Sequence, residues 1–317
     1  MKLMRKRKAL VTGGSGFIGS HLCNQLQEND YDVISYDDFS NGSGKKNLSK
    51  HIRSVKGSIL NTQKFKNICK KVDVVFNLAV KPLPMSFDKP DVVVQVNDYG
   101  TYLVAKICTE LKCKLIHISS SEAYGSARTV PMKENHPLLP STIYAASKAS
   151  SEMYVRGFYE TNGLKMVIVR PFNCYGPFMR EDLYAAAIPK FYNRILNCKP
   201  PIISGTGNQT RDLTYVKDTV NGIMLADKAS GAIGDTFNIG QGKETSVKNM
   251  AKTMLKKYSD LTDTSLIDNL IYQKDRKGDV KRHLADISRA RKILGYKPRI
   301  NLQEGIEKYI LWKISNK

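Results

Sequence analysis

The stretch KALVTGGSGFIGSHL, Lys8 to Leu22, decides how this chain folds. KALVT is a short apolar run with a β-branched residue and reads as a buried strand. Phe17, Ile18, Leu22 and Leu26 then recur at helical spacing. Between them lie Gly13, Gly16 and Gly19. Gly13 permits a tight turn, Gly16 lets the backbone approach a pyrophosphate, and Gly19 lets the helix pack on the strand. The free N–H groups and dipole of the helix N-terminus favour negative charge. Glycine spacing alone is weak evidence; between a strand and a helix it is strong.

Eighteen residues beyond Gly19, the next strand-like run, DVISYDD, ends in Asp37 and Asp38. A carboxylate there accepts both hydroxyls of an adenosine ribose and repels a 2′-phosphate. NAD is therefore expected over NADP, although Lys45 and Lys46 follow in the next loop. Further out, VDVVFNLA, KLIHISSS and KMVIVRPFN read as strands. DVVVQVNDYGTYLVAKICTEL and YAASKASSEMYVRGFYET read as the helices between them. Near-continuous apolar strands alternating with helices imply an α/β fold with a doubly wound parallel sheet covered on both faces.

The rhythm changes after about residue 174. Helical patches such as AAAIPKFYNRIL and SVKNMAKTMLKKY are separated by the turn signals SGTGNQ, GKET and GYKP. The expected division is a dinucleotide-binding domain over 1–173 and a smaller mixed α/β lobe over 174–317. A strand near 235–240, DTFNIG, is expected to return to the first domain.

The chain has 317 residues, of which 41% are apolar and 25% charged, as in a globular protein. No apolar run approaches the roughly 18 residues that span a bilayer, so membrane insertion is not expected. The basic start is followed by too short an apolar stretch for an export signal. Cys23, Cys69, Cys108, Cys113, Cys174 and Cys198 form no CxxC pair and no zinc spacing. Reduced thiols, a cytoplasmic location and no bound metal are expected. The formal net charge is +21, with clusters at Arg5–Lys8 and around Lys274–Arg282. No aromatic residues alternate with a basic stripe, so an anionic small substrate is favoured over nucleic acid.

STIYAASKASSE places Tyr144 and Lys148 four residues apart, on one helix face. A neighbouring ammonium and a positive nicotinamide ring favour the phenolate, a base able to act near neutral pH. About twenty residues upstream, SSSEAYG supplies partner hydroxyls.

At this point the chain resembles the extended short-chain dehydrogenase/reductases, in the NAD-dependent nucleotide-sugar epimerase/dehydratase family that includes UDP-glucose 4-epimerase-like members. The resemblance rests on TGGSGFIGSHL, YDDFSNG, NLAV, VNDYGT, SSSEAYG, YAASK, RPFNCYGP, GNQTRDLTYV, FNIG and RKGDVKRHLADISRARKILGYKP. It implies a Rossmann-type domain holding NAD, a cleft for a nucleoside-diphosphate sugar, and a homodimer built from helices near 92–111 and 144–161.

By position, the resemblance implies cofactor contacts at Gly13, Gly16, Phe17, Ile18, Gly19, Asp37, Asp38, Asn41, Ser58, Ile59, Leu78, Ala79, Val80, Asn97, Ser119, Tyr144, Lys148 and Pro171. It implies sugar-nucleotide contacts at Ser120, Ser121, Tyr144, Asn173, Arg211, Arg276 and Asp279. Arginines suit a diphosphate, which needs forked cationic donors. The implied catalytic set is Ser120, Tyr144 and Lys148, with Glu122 as a further candidate. There are departures. The Asp of the usual GDI is Ser58, the usual His of HLAA is Asn77, and the aromatic residue often found before Gly205 is Ser204.

The shared first step is oxidation at sugar C4. A 4,6-dehydratase then removes the C5 proton with a glutamate helped by an adjacent acid. Here Glu122 is preceded by Ser121. C4 epimerisation of a UDP-sugar is the expectation. A 4,6-dehydratase, a UDP-glucuronate decarboxylase and a non-catalytic NAD-binding regulator are the alternatives.

Overall fold

A computed structural model describes residues 5–40, 44–264, 269–275 and 278–316. Seven strands form one parallel sheet: β1 (Lys8–Thr12), β2 (Asp32–Asp37), β3 (Arg53–Lys56), β4 (Val74–Asn77), β5 (Lys114–Ile118), β6 (Met166–Pro171) and β7 (Thr236–Ile239). Their spatial order is β7-β6-β5-β4-β1-β2-β3, so the order reverses between β1 and β4. Ligands bind outside the carboxyl ends of strands at such a switch point. The DTFNIG run pairs parallel to β6, Phe237 opposite Val169.

Alternate residues of each strand point to opposite faces, and the core divides accordingly. Ala9, Val11, Val74, Phe76, Ile116 and Ile118 join one cluster, covered by α1 (Phe17–Glu28). Leu10, Ile34, Val75, Leu115, Met166 and Ile168 join the other. That second face is covered by α2 (Thr62–Cys69), α3 (Gly100–Leu111) and α4 (Ile143–Asn162). The helix expected over residues 91–111 has a π-helical stretch, Val94–Tyr99, ahead of α3.

Later elements are small. Two- and three-residue strands pair Cys174–Tyr175 with Thr214–Tyr215, Ile202–Ser204 with Ile271–Gln273, and Thr210–Asp212 with Glu244–Ser246. The helices are α5 (Ala187–Leu196), α6 (Val216–Lys228), α7 (Val247–Thr262) and α8 (Leu302–Ser315). The second of these, α6, returns to the sheet beside α1. Among the described residues no helix is long and apolar enough to cross a membrane, and all six cysteines are free thiols.

Candidate functional site

The glycine turn is shaped by steric necessity. Gly13 sits at φ +64°, and a Cβ there would lie 2.9 Å from the Leu78 and Ala79 backbone. A Cβ on Gly19 would overlap the Gly13 carbonyl, so α1 lies against the turn. Asp37 ends β2 beside it, accepting from Ser15 N at 2.9 Å and Phe39 N at 2.7 Å. Burial raises its pKa above the ordinary aspartate value, and those two N–H groups oppose the rise.

Gly13, Asp37, Asp38, Ser58, Ile59, Ala79 and Val80 line one pocket. Lys81, which the sequence reading passed over, lines it too; its Nζ lies 3.2 Å from Asp38 Oδ2. Asp38 is therefore already paired. Asn97 acts through backbone: Oδ1 accepts from Lys81 N, and Nδ2 donates to Lys81 O. Leu78 N donates to Thr12 Oγ1. Gly16, Phe17 and Ile18 begin α1, and Pro171 ends β6. Asn41 lies outside the described residues. Ser119 Oγ is buried with no hydrogen-bond partner among the described residues. The unmet hydroxyl, the glycine cradle and the Asp37 carboxylate together fit a dinucleotide.

Beyond Ser119 the chain turns. Ser120 Oγ accepts from Glu122 N at 3.1 Å and caps the 3₁₀ turn Ser121–Tyr124. Tyr144 enters from the first turn of α4, whose N-cap Thr142 accepts from Ala145 N. Burial pushes the Tyr144 hydroxyl up to about 12, a hydrogen bond with Ser120 lowers it, and the Glu122 charge raises it. The phenolate expected from the sequence is thus opposed by burial. Lys148, one turn on, is 3% exposed and donates from Nζ to Ile118 O at 2.6 Å. Burial lowers it to about 8, against the pull of the Glu152 charge. The Glu152 carboxylate is itself held by Arg170 through contacts of 2.6, 2.9 and 3.2 Å.

A cleft of about 680 Å³ opens next to this turn. Glu122, Asn173, Arg211 and Asp279 line it. Asn173 Nδ2 is buried with no partner among the described residues. Alternation along Thr210–Asp212 separates Arg211 from Asp212. Asp212 accepts backbone N–H groups from Gln241, Gly242 and Ala285, which anchors the strand that presents the arginine. Arg211 NH2 pairs with Asp279 at 2.8 Å. Arg276 lies outside the described residues.

Ser121 is not brought to the cleft. It is 2% exposed, and its Oγ faces His283 Nδ1 at 3.5 Å. The other nitrogen of His283 meets the Gly125 carbonyl at 2.9 Å, which makes it the protonated one. His283 therefore clamps both ends of the turn that carries Glu122. It lies 162 residues from Ser121, and no local spacing signals the contact.

The GDP-mannose 4,6 dehydratase family model matches residues 10–309. A putative UDP-glucose 4-epimerase of Methanocaldococcus jannaschii is 34% identical over 311 residues, covering 97% of this chain and 98% of that protein. The UDP-glucose 4-epimerase of Thermotoga maritima, solved with UDP-glucose, superposes with a TM-score of 0.90 at 30% identity, covering 98% and 99% of the two chains. The UDP-glucuronic acid 4-epimerase of Bacillus cereus, solved with UDP-glucuronic acid and NAD, gives 0.87 at 30% identity, covering 98% and 100%.

Proposed function

The chain belongs to the GDP-mannose 4,6 dehydratase family of extended short-chain dehydrogenase/reductases, and from that premise we propose that it is an NAD-dependent epimerase of nucleotide sugars, acting on C4 of a UDP-sugar. One observation carries the choice among family reactions. The Ser120–Tyr144–Lys148 set is assembled, while Ser121, beside Glu122, is turned to His283. Glu122 thus lacks the neighbouring acid that a 4,6-dehydratase uses.

Bound NAD supplies the acceptor and donor for the C4 hydride. Tyr144 accepts the C4 hydroxyl proton, with Ser120 bonded to the same sugar oxygen. The Lys148 ammonium holds the cofactor ribose and favours the phenolate that burial resists. Arg211 meets the diphosphate, Asp279 orients Arg211, and Asn173 offers its unmet amide to the substrate. Once the 4-keto sugar had presented its other face, Tyr144 would return the proton to the C4 oxygen. No base at C5 is required, so Glu122, which lines the cleft, moves no proton in this reaction.

In this reading residues 1–173 and strand β7 hold NAD, and residues 174–317 otherwise hold the sugar nucleotide. The active unit is a homodimer. Val92, Val94 and Tyr99 before α3, and Met153 and Tyr154 on α4, leave apolar surface exposed for a second copy. Free thiols suit a reducing cytoplasm. Thermal stabilisation by a panel of UDP-, dTDP- and GDP-sugars tests the substrate class. UDP-sugars are expected to raise Tm most; a preference for GDP-sugars would overturn the assignment.

A further inference from the structure

Thr12, Asn77 and His117 occupy one rung across three adjacent strands: Thr12 is register partner of Asn77, and Asn77 of His117. They are 0%, 1% and 0% exposed. Buried polar groups are costly unless each finds a partner, and here each does. Thr12 Oγ1 donates to Asn77 Oδ1 at 2.7 Å and accepts from Leu78 N and Ala79 N at 3.1 Å each. Asn77 Nδ2 reaches Thr101 Oγ1 at 3.3 Å and His117 Nδ1 at 3.4 Å. His117 Nε2 lies 3.1 Å from Ser151 Oγ, and Ser151 Oγ donates to the Lys148 carbonyl at 2.8 Å.

The protons follow by elimination. Ser151 has one hydroxyl proton, and Lys148 O takes it. Ser151 Oγ must then accept from His117 Nε2–H, which leaves Nδ1 to accept from Asn77. His117 is the neutral Nε2–H tautomer. Burial and the Lys148 charge hold its pKa well below the ordinary histidine value.

The chain begins at Leu78–Ala79, beside the pocket that fits a dinucleotide, and ends on the backbone of Lys148. Lys148 is tied to β5 twice. Its Nζ is held by the Ile118 carbonyl, and its own carbonyl is held through Ser151 by His117, the residue before Ile118. We propose that His117 is a positioning residue for the C4 oxidation, seating α4 on the sheet so that Lys148 and Tyr144 meet cofactor and sugar in register. This rests on the epimerase reading for its reaction but not for its geometry.

The test compares His117→Phe, His117→Gln, Ser151→Ala and the double variant His117→Phe/Ser151→Ala, using the whole protein. Three quantities are read: kcat against KM for a UDP-sugar the unmodified protein turns over, NADH affinity by fluorescence, and folded fraction by circular dichroism. His117→Phe and Ser151→Ala are each expected to lose about tenfold in kcat or more with KM within about twofold. The double variant is expected to be no worse than the poorer single one, because both cut one chain. NADH affinity is expected to weaken about threefold or more in both single variants. His117→Gln, which can donate to Ser151, is expected to recover most of the loss. Unchanged kcat and NADH affinity in folded His117→Phe would overturn the proposal, as would additive losses in the double variant. If His117→Phe does not fold, Ser151→Ala decides by the same two readouts. Absence of any sugar-nucleotide turnover in the unmodified protein overturns the epimerase reading instead, and the NADH shift then decides the clamp.

Discussion

Lys148 Nζ donates to the Ile118 carbonyl at 2.6 Å from a site where its side chain is almost fully removed from water. The ammonium is retained there for function at a cost to folding. Its folded pKa is about 8 against 10.5 in the unfolded chain. The unfolded state therefore binds the proton more tightly between those values, and this group makes stability rise as pH increases from about 8 to about 10.5. The gap corresponds to about 3 kcal/mol. Lys148→Met is expected to abolish turnover while raising the unfolding free energy of cofactor-free protein at pH 7 by about 1–3 kcal/mol. Denaturant unfolding checks this; a less stable variant would contradict it.

His283 acts with the same sign in a lower pH window. Burial lowers it from 6.5 to about 4. The unfolded chain takes up a proton as pH falls below 6.5 while the folded chain resists until about 4. Its contribution is fully present above pH 6.5 and is lost on acidification, amounting to about 3 kcal/mol. His283→Gln is expected to lower stability at pH 7 and flatten the acid limb between pH 6.5 and 4. A variant with an unchanged acid limb would show that other groups set it.

Arg170 and Glu152 form a buried pair, 5% and 2% exposed at their side chains. NH1 of the same guanidinium donates to Tyr124 OH at 2.6 Å and to Glu134 O at 2.9 Å. Removing one partner strands a buried charge. Arg170→Met is expected to cost about 3–5 kcal/mol, and adding Glu152→Leu to recover much of it. Equal loss in the single and double variants, read from unfolding midpoints, would show that packing dominates instead.

The β1–turn–α1 reading was open to the sequence because every part of it is local. The strand's apolar run, the glycines and the helical spacing lie within 15 residues, Lys8 to Leu22. The Tyr144–Lys148 spacing was legible for the same reason. Contacts set by the sheet were not. Lys81 meets Asp38 from 43 residues away, and Asn77 meets His117 through register. The short strands of the second lobe, such as Cys174–Tyr175, are below any detectable period. The expected ease of ionising Tyr144 also failed to anticipate burial, which outweighs the Ser120 hydrogen bond.

Glu122 and Tyr144 should separate cleanly by substitution. Tyr144→Phe removes the group that moves the C4 proton and is expected to reduce kcat by about 10²–10⁴. Glu122→Gln keeps the size of the side chain and is expected to retain most epimerase activity. Initial-rate kinetics check both. Loss of all activity in Glu122→Gln would assign the carboxylate a proton-handling role.

The most direct measurement is proton NMR of the enzyme incubated with UDP-glucose, UDP-N-acetylglucosamine and UDP-glucuronic acid. The account predicts that at least one is converted to a mixture with its C4 epimer, with no net oxidation and no carbon dioxide released. Accumulation of a 4-keto-6-deoxy sugar, or release of carbon dioxide, would contradict it.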